Sequence, residues 1–132
     1  MRAGSSADAG RFVAHESLRD AQGEMISDGI ASLGAGGFLL ASAPTGIGKT
    51  AAALAAAIEV ARSSADPPVV MFLTGRQSQH KIVVDTVRKI NERLGPDVAK
   101  VRLVDLIGQQ GMCINEIRHE HRALFSRLCA EK

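Results

Sequence analysis

The sequence contains no Trp, no Tyr and only four Phe, so its 45% apolar fraction is carried mostly by aliphatic side chains and alanine. No apolar run approaches the length of a membrane span. Met1-Arg2-Ala3-Gly4-Ser5-Ser6 has no apolar core of a signal peptide. These absences point to a cytoplasmic protein without a membrane partner. Cys113 and Cys129 are the two cysteines, and in that compartment they are not expected to form a structural disulfide. A dominant charge is missing too: 16 Lys and Arg stand against 14 Asp and Glu, for a formal charge of +2. That balance does not on its own argue for nucleic acid. At 132 residues the chain is one domain at most, with enough length to bury a core.

What is present is organised around Ala43-Pro44-Thr45-Gly46-Ile47-Gly48-Lys49-Thr50. An apolar run, 38–42, precedes it, and an alanine-rich stretch, 51–61, follows. Strand, glycine-containing turn and helix in that order are the setting of a P-loop. The glycines let successive N–H groups turn inward, and the helix start adds its positive end. Lys49 can reach β- and γ-phosphates, and the Thr50 hydroxyl can ligate Mg²⁺. The first glycine of the general G-x-x-x-x-G-K-[ST] pattern is Ala43 here, with Gly46 as its substitute.

Along the chain, residues 1–11 are small and polar and read as a flexible tail. Ser17 is a plausible N-cap for a helix reaching Leu33, with Leu18, Ala21, Met25, Ile26, Ile30 and Leu33 on its buried face. Gly34 to Gly37 turn the chain into a first strand. A helix at 49–62 leads to a loop at 63–68 and a second apolar strand, 69–74. A helix over 78–94 should bury Ile82, Val83, Val87, Ile90 and Leu94. Residues 98–106 read as a third strand, and a loop at 108–111 leads to a last helical stretch. There Ile114, Ile117, His121, Leu124, Phe125 and Leu128 share a face. This alternation predicts an α/β fold with a parallel sheet and right-handed crossovers.

Three further stretches carry chemistry. Thr74-Gly75-Arg76-Gln77-Ser78-Gln79-His80 lies at the strand-to-helix edge where α/β sheets bind ligands. Its donors suit a phosphodiester backbone, and they equally suit a solvated turn. Arg19 and Gln22 lie three apart on one helical face. The Gln22 amide can read an adenine edge, or both residues can simply face water. Cys113 and Cys129 are two thiols where an iron–sulfur cluster normally needs four, and zinc is no better served although His119 and His121 lie nearby. As a pair they also fit two ordinary cysteines.

Taken together, Arg19-x-x-Gln22, Ala43 to Thr50, Phe72-Leu73-Thr74-x-Arg76-x-x-Gln79-His80 and Asp105-Leu106-x-Gly108-x-x-x-x-Cys113 occur in the order seen in XPD-like iron–sulfur helicases of superfamily 2. The chain resembles that family over roughly residues 12–113. The resemblance implies a RecA-like P-loop motor domain over 12–108 and the start of an iron–sulfur domain over 109–132. It implies an ATP-dependent 5′-to-3′ DNA helicase, a repair enzyme of the nucleoid acting on single-stranded or forked DNA. By the same resemblance Lys49 is catalytic, and Lys49 and Thr50 take the phosphates and Mg²⁺. Ala43, Pro44, Thr45, Gly46, Ile47 and Gly48 form the rest of the nucleotide loop. Arg19 and Gln22 lie beside the base, while Thr74, Arg76 and Gln79 face the DNA. Cys113, and with it Cys129, would ligate a 4Fe-4S cluster in the full-length context.

The chain departs from that family by lacking an acidic D-E-x-H segment and an arginine finger. An arginine finger alone is worth about 10³–10⁵ in rate. The chain is therefore expected to be the N-terminal piece of a helicase, associating with the remainder of that polypeptide and inactive alone. Two other readings stay open. One is a small P-loop kinase, with Arg118, Arg122 and Arg127 as lid residues. The other is a non-catalytic nucleotide- or nucleic-acid-binding module.

Overall fold

A computed structural model describes residues 10–131. The expected tail at 1–11 lies mostly outside them. Arg11, which is described, donates its backbone N–H to Glu59 Oε2 at 3.0 Å.

Alanine content and apolar spacing build the helices where they were expected, within a few residues. Helix α1 spans Gln22–Gly34, α2 Lys49–Ser63 and α3 Gln77–Arg93. A short α4 (Gln109–Met112), a 3₁₀ turn (Glu116–His119) and α5 (Arg122–Ala130) follow. The core has two parts. Phe12, Ala14, Leu54 and Ile58 meet Val83, Val87, Ile90 and Leu94 between α2 and α3. Val13, Ile26, Ala52 and Ala55 pack between α1 and α2. The α1–α2 crossing is close because Gly29 has no side chain: a Cβ there would lie 2.8 Å from the Ala56 Cβ. Burying Ile26 and Ile90, the two most enclosed large side chains, contributes about 1.5–3 kcal/mol each.

The parallel sheet does not form. Among the described residues there is no strand, and no backbone hydrogen bond joins the apolar segments at 38–42, 69–74 and 98–106. The RecA-like α/β architecture is thus replaced by a helical assembly with extended segments laid beside it. Two physical causes are visible. First, the backbone groups of the third segment are taken by side chains. Asn91 donates to the Val101 carbonyl at 2.9 Å and accepts from its N–H at 2.8 Å. Arg62 donates to the carbonyls of Ala99 and Lys100 at 2.6 and 3.0 Å. Second, a parallel sheet needs cover on both faces, and these segments have helices on one side only. Val70 and Phe72 border α1 and α2 across an apolar cleft of about 270 Å³. Their neighbours Val69 (90% exposed) and Leu73 (81%) stay open, and Met71, which also lines the cleft, is 76% exposed.

Smaller differences share a logic. The first helix starts at Gln22, not at Ser17, because Ala21 adopts the left-handed region (φ 60) and Gln22 N–H closes a turn onto the Arg19 carbonyl at 3.0 Å. Ile82 is exposed while Val83, Val87, Ile90 and Leu94 are buried. Of the face expected in the last helical stretch, Phe125 alone is buried and Ile114 is 94% exposed, because the chain breaks between the 3₁₀ turn and α5.

Candidate nucleotide site

The loop at 43–50 is shaped by two left-handed glycines, Gly46 (φ 89) and Gly48 (φ 87), flanking Ile47. Such alternation turns backbone N–H groups toward a common centre. Among the described residues, the N–H groups of Gly46, Gly48, Lys49 and Thr50 have no protein acceptor, while Thr45 and Gly46 form a tight turn. Helix α2 starts immediately, with no side-chain cap and no acidic residue in its first turn. Its positive end therefore stays uncompensated. The Lys49 ammonium donates to the Ala43 and Pro44 carbonyls at 2.9 and 2.8 Å. A phosphate entering the loop can exchange those carbonyls for its own oxygens, which bind an ammonium more strongly. Thr50 lies half-buried on the first turn of α2, and its hydroxyl is a hard oxygen donor suited to Mg²⁺.

The sequence pairing of Arg19 and Gln22 acquires a physical role here. Both reach the loop. The Arg19 guanidinium donates to the Gly46 carbonyl, and Gln22 Nε2 donates to the Gly48 carbonyl at 3.3 Å. Gln22 Oε1 accepts the Arg19 N–H at 3.1 Å. Gln22 is buried, and it fills the space a Cβ on Gly48 would need, with Nε2 at 2.7 Å. These two side chains hold the carbonyl side of the loop, which leaves its N–H side free.

The block after the second apolar segment is partly self-satisfied. Thr74 Oγ1 donates to Gln79 Oε1 at 2.6 Å and accepts the Arg76 N–H at 3.3 Å. The Arg76 side chain is exposed at the start of α3. His80 Nδ1 lies 2.6 Å from Asp105 Oδ1, joining α3 to the segment before α4. Both residues belong to the sequence blocks, but their pairing across 25 positions had no local signal. They line a cleft of about 920 Å³ with Lys81, Arg88 and Arg122. No residue of 43–50 lines that cleft.

Cys113 and Cys129 are free and half-buried. Cys129 Sγ accepts from Gln109 Nε2 at 3.3 Å. Among the described residues no three His, Cys, Asp or Glu side chains converge as metal ligands. Two thiols are half of a cluster's usual ligand set, so the cysteines present do not fit a complete 4Fe-4S centre.

No protein-family model, curated protein or solved structure matches the chain. No helix among the described residues is long and apolar enough to cross a membrane.

Proposed function

We propose that residues 43–50 bind the triphosphate of ATP with Mg²⁺, as the nucleotide-binding part of an ATP-dependent 5′-to-3′ DNA helicase of the iron–sulfur superfamily 2 type. The observation that carries this reading is a loop with two left-handed glycines and four unpaired N–H groups at the start of α2. In this reading Lys49 neutralises the β- and γ-phosphates, and Thr50 ligates Mg²⁺. Arg19 and Gln22 keep the loop open, which leaves their contact with the base secondary. Thr74, Arg76 and Gln79 take the backbone of single-stranded or forked DNA, with Arg76 the residue whose charge is free to do so.

The chain has no D-E-x-H segment to position the attacking water. Binding without turnover is therefore the behaviour proposed for it alone. Hydrolysis belongs to an assembly with the rest of the helicase, in the cytoplasm at the nucleoid, in DNA repair. A 4Fe-4S cluster there would need two more thiolates beside Cys113 and Cys129, and no step here runs through it.

Titration calorimetry with Mg-ATP tests the proposal. The purified chain is expected to bind Mg-ATP weakly, Lys49→Ala to lose binding, and turnover to be negligible. Equal binding by wild type and Lys49→Ala would refute the phosphate role of the loop. Robust hydrolysis by the 132-residue chain would refute the division of labour.

A further inference from the structure

Among the described residues, Arg19 and Gln22 are the two side chains from outside 43–50 that hydrogen-bond the loop. A glutamine amide reads an adenine edge by presenting its oxygen and its nitrogen together to one base. The Gln22 amide has both atoms committed elsewhere. Oε1 accepts the Arg19 N–H at 3.1 Å, Nε2 donates to the Gly48 carbonyl at 3.3 Å, and the residue is 3% exposed. Nε2 also lies 2.7 Å from where a Gly48 Cβ would stand, so the amide fills the space beneath the loop. Turning it outward to meet a base would strip the Arg19 N–H of its acceptor, a cost that binding would have to offset. Arg19 is exposed, with one guanidinium nitrogen at the Gly46 carbonyl. The plane of that group can lie against a base, but stacking of this kind tolerates any base because every base has a π-face. The groups the loop leaves uncommitted face a different part of the ligand. Its unpaired N–H groups, the Lys49 ammonium and the uncapped start of α2 all suit phosphate.

We infer that, given the phosphate role proposed for residues 43–50, the site takes nucleoside triphosphates as a class and does not select adenine. ATP, GTP, CTP and UTP bind alike, through the triphosphate and Mg²⁺. Gln22 sets the shape of the loop and leaves the base unread.

Titration calorimetry of the full chain with the Mg²⁺ complexes of ATP, GTP, CTP, UTP and tripolyphosphate tests this. The four nucleotides should bind within about threefold of one another, where a bidentate pair on one base edge would separate them by roughly five- to 150-fold. Tripolyphosphate, which has no base, should displace Mg-ATP completely. Gln22→Ala, with circular dichroism as the folding control, should weaken all four nucleotides by the same factor and keep their ratios. Those ratios are a readout that a partial loss of fold does not imitate, and the wild-type series decides the matter if the variant does not fold. A wider spread in favour of one base overturns base indifference, as does loss of ATP alone in Gln22→Ala or failure of tripolyphosphate to displace ATP. Each of these leaves the phosphate role of the loop standing if Lys49→Ala still abolishes binding. Binding of no triphosphate at all overturns both.

Discussion

The loop at 43–50 and the region from α4 to α5 were both expected to hold a ligand, yet the structure treats them differently. The loop is held from two sides. Helix α2 carries it, and Arg19 and Gln22 bond two of its carbonyls from the end of a sharp turn. Behind it lie Ala52 and Ala55, packed against Ile26 and Val13. The C-terminal region has short elements, one buried side chain in Phe125, and cysteines bonded only to near neighbours or to α4. A functional loop is kept in a demanding backbone conformation when its surroundings over-determine it. A region with few buried contacts opens at low cost. The difference separates a loop held by tertiary packing from a segment with few buried contacts.

The sharpest way to break this contrast is to compare two core truncations. Ile90→Ala, at a fully enclosed position of α3, should cost about 2–5 kcal/mol, read as a lower urea midpoint for the whole protein. Phe125→Ala should instead loosen α5 locally and move the global midpoint much less, with hydrogen exchange accelerated over 122–130. Equal global losses would mean that both regions unfold as one unit.

Gly48→Ala comes next. It combines a positive φ with a Cβ placed 2.7 Å from Gln22 Nε2. It should cost about 1–3 kcal/mol of stability and displace Gln22, weakening Mg-ATP binding at least as much as it weakens the fold. Gly46→Ala, with the same φ sign but open space around it, should have the smaller effect of the two in both measurements.

Asn91→Ala removes both hydrogen bonds to Val101. With its backbone groups half-buried there, a loss of about 1–3 kcal/mol is expected in chemical denaturation. The freed segment at 98–106 should exchange its amides faster while the 43–50 loop is unaffected.

The smallest effect should be a gain. Ala21→Gly relieves the left-handed φ of 60 before α1 and should stabilise the protein by about 0.5–1 kcal/mol without changing the Arg19 and Gln22 contacts. If nucleotide binding falls in Ala21→Gly, the strained turn positions those two side chains and is not merely tolerated.

The helices were legible because their signals are local. Alanine richness in 51–61, the spacing of Val83, Val87, Ile90 and Leu94, and the glycines before Lys49 act within one or two turns. The loop's left-handed glycines were legible for the same reason, since few other residues adopt that backbone. The extended segments were legible as extended but not as unpaired. An apolar run specifies a strand only when a neighbouring backbone is free to pair with it, and nothing local reveals that Asn91 and Arg62 take the groups of 99–101 first. The start of α1 was misplaced for a related reason: the benefit of reversing the chain at Ala21 lies 26 residues beyond Gln22, in the Gly48 carbonyl.

By itself the sequence determined the positions of α2 and α3, the apolar faces of α1 and α3 in outline, and the left-handed glycines of the loop at 43–50. These follow from backbone freedom and side-chain periodicity, which are written residue by residue. Only the tertiary structure decided that the apolar segments stay outside any sheet, that Arg19 and Gln22 buttress the loop, and that His80 meets Asp105. Those outcomes rest on which donors reach which acceptors across distant parts of the chain, a competition that no short stretch contains.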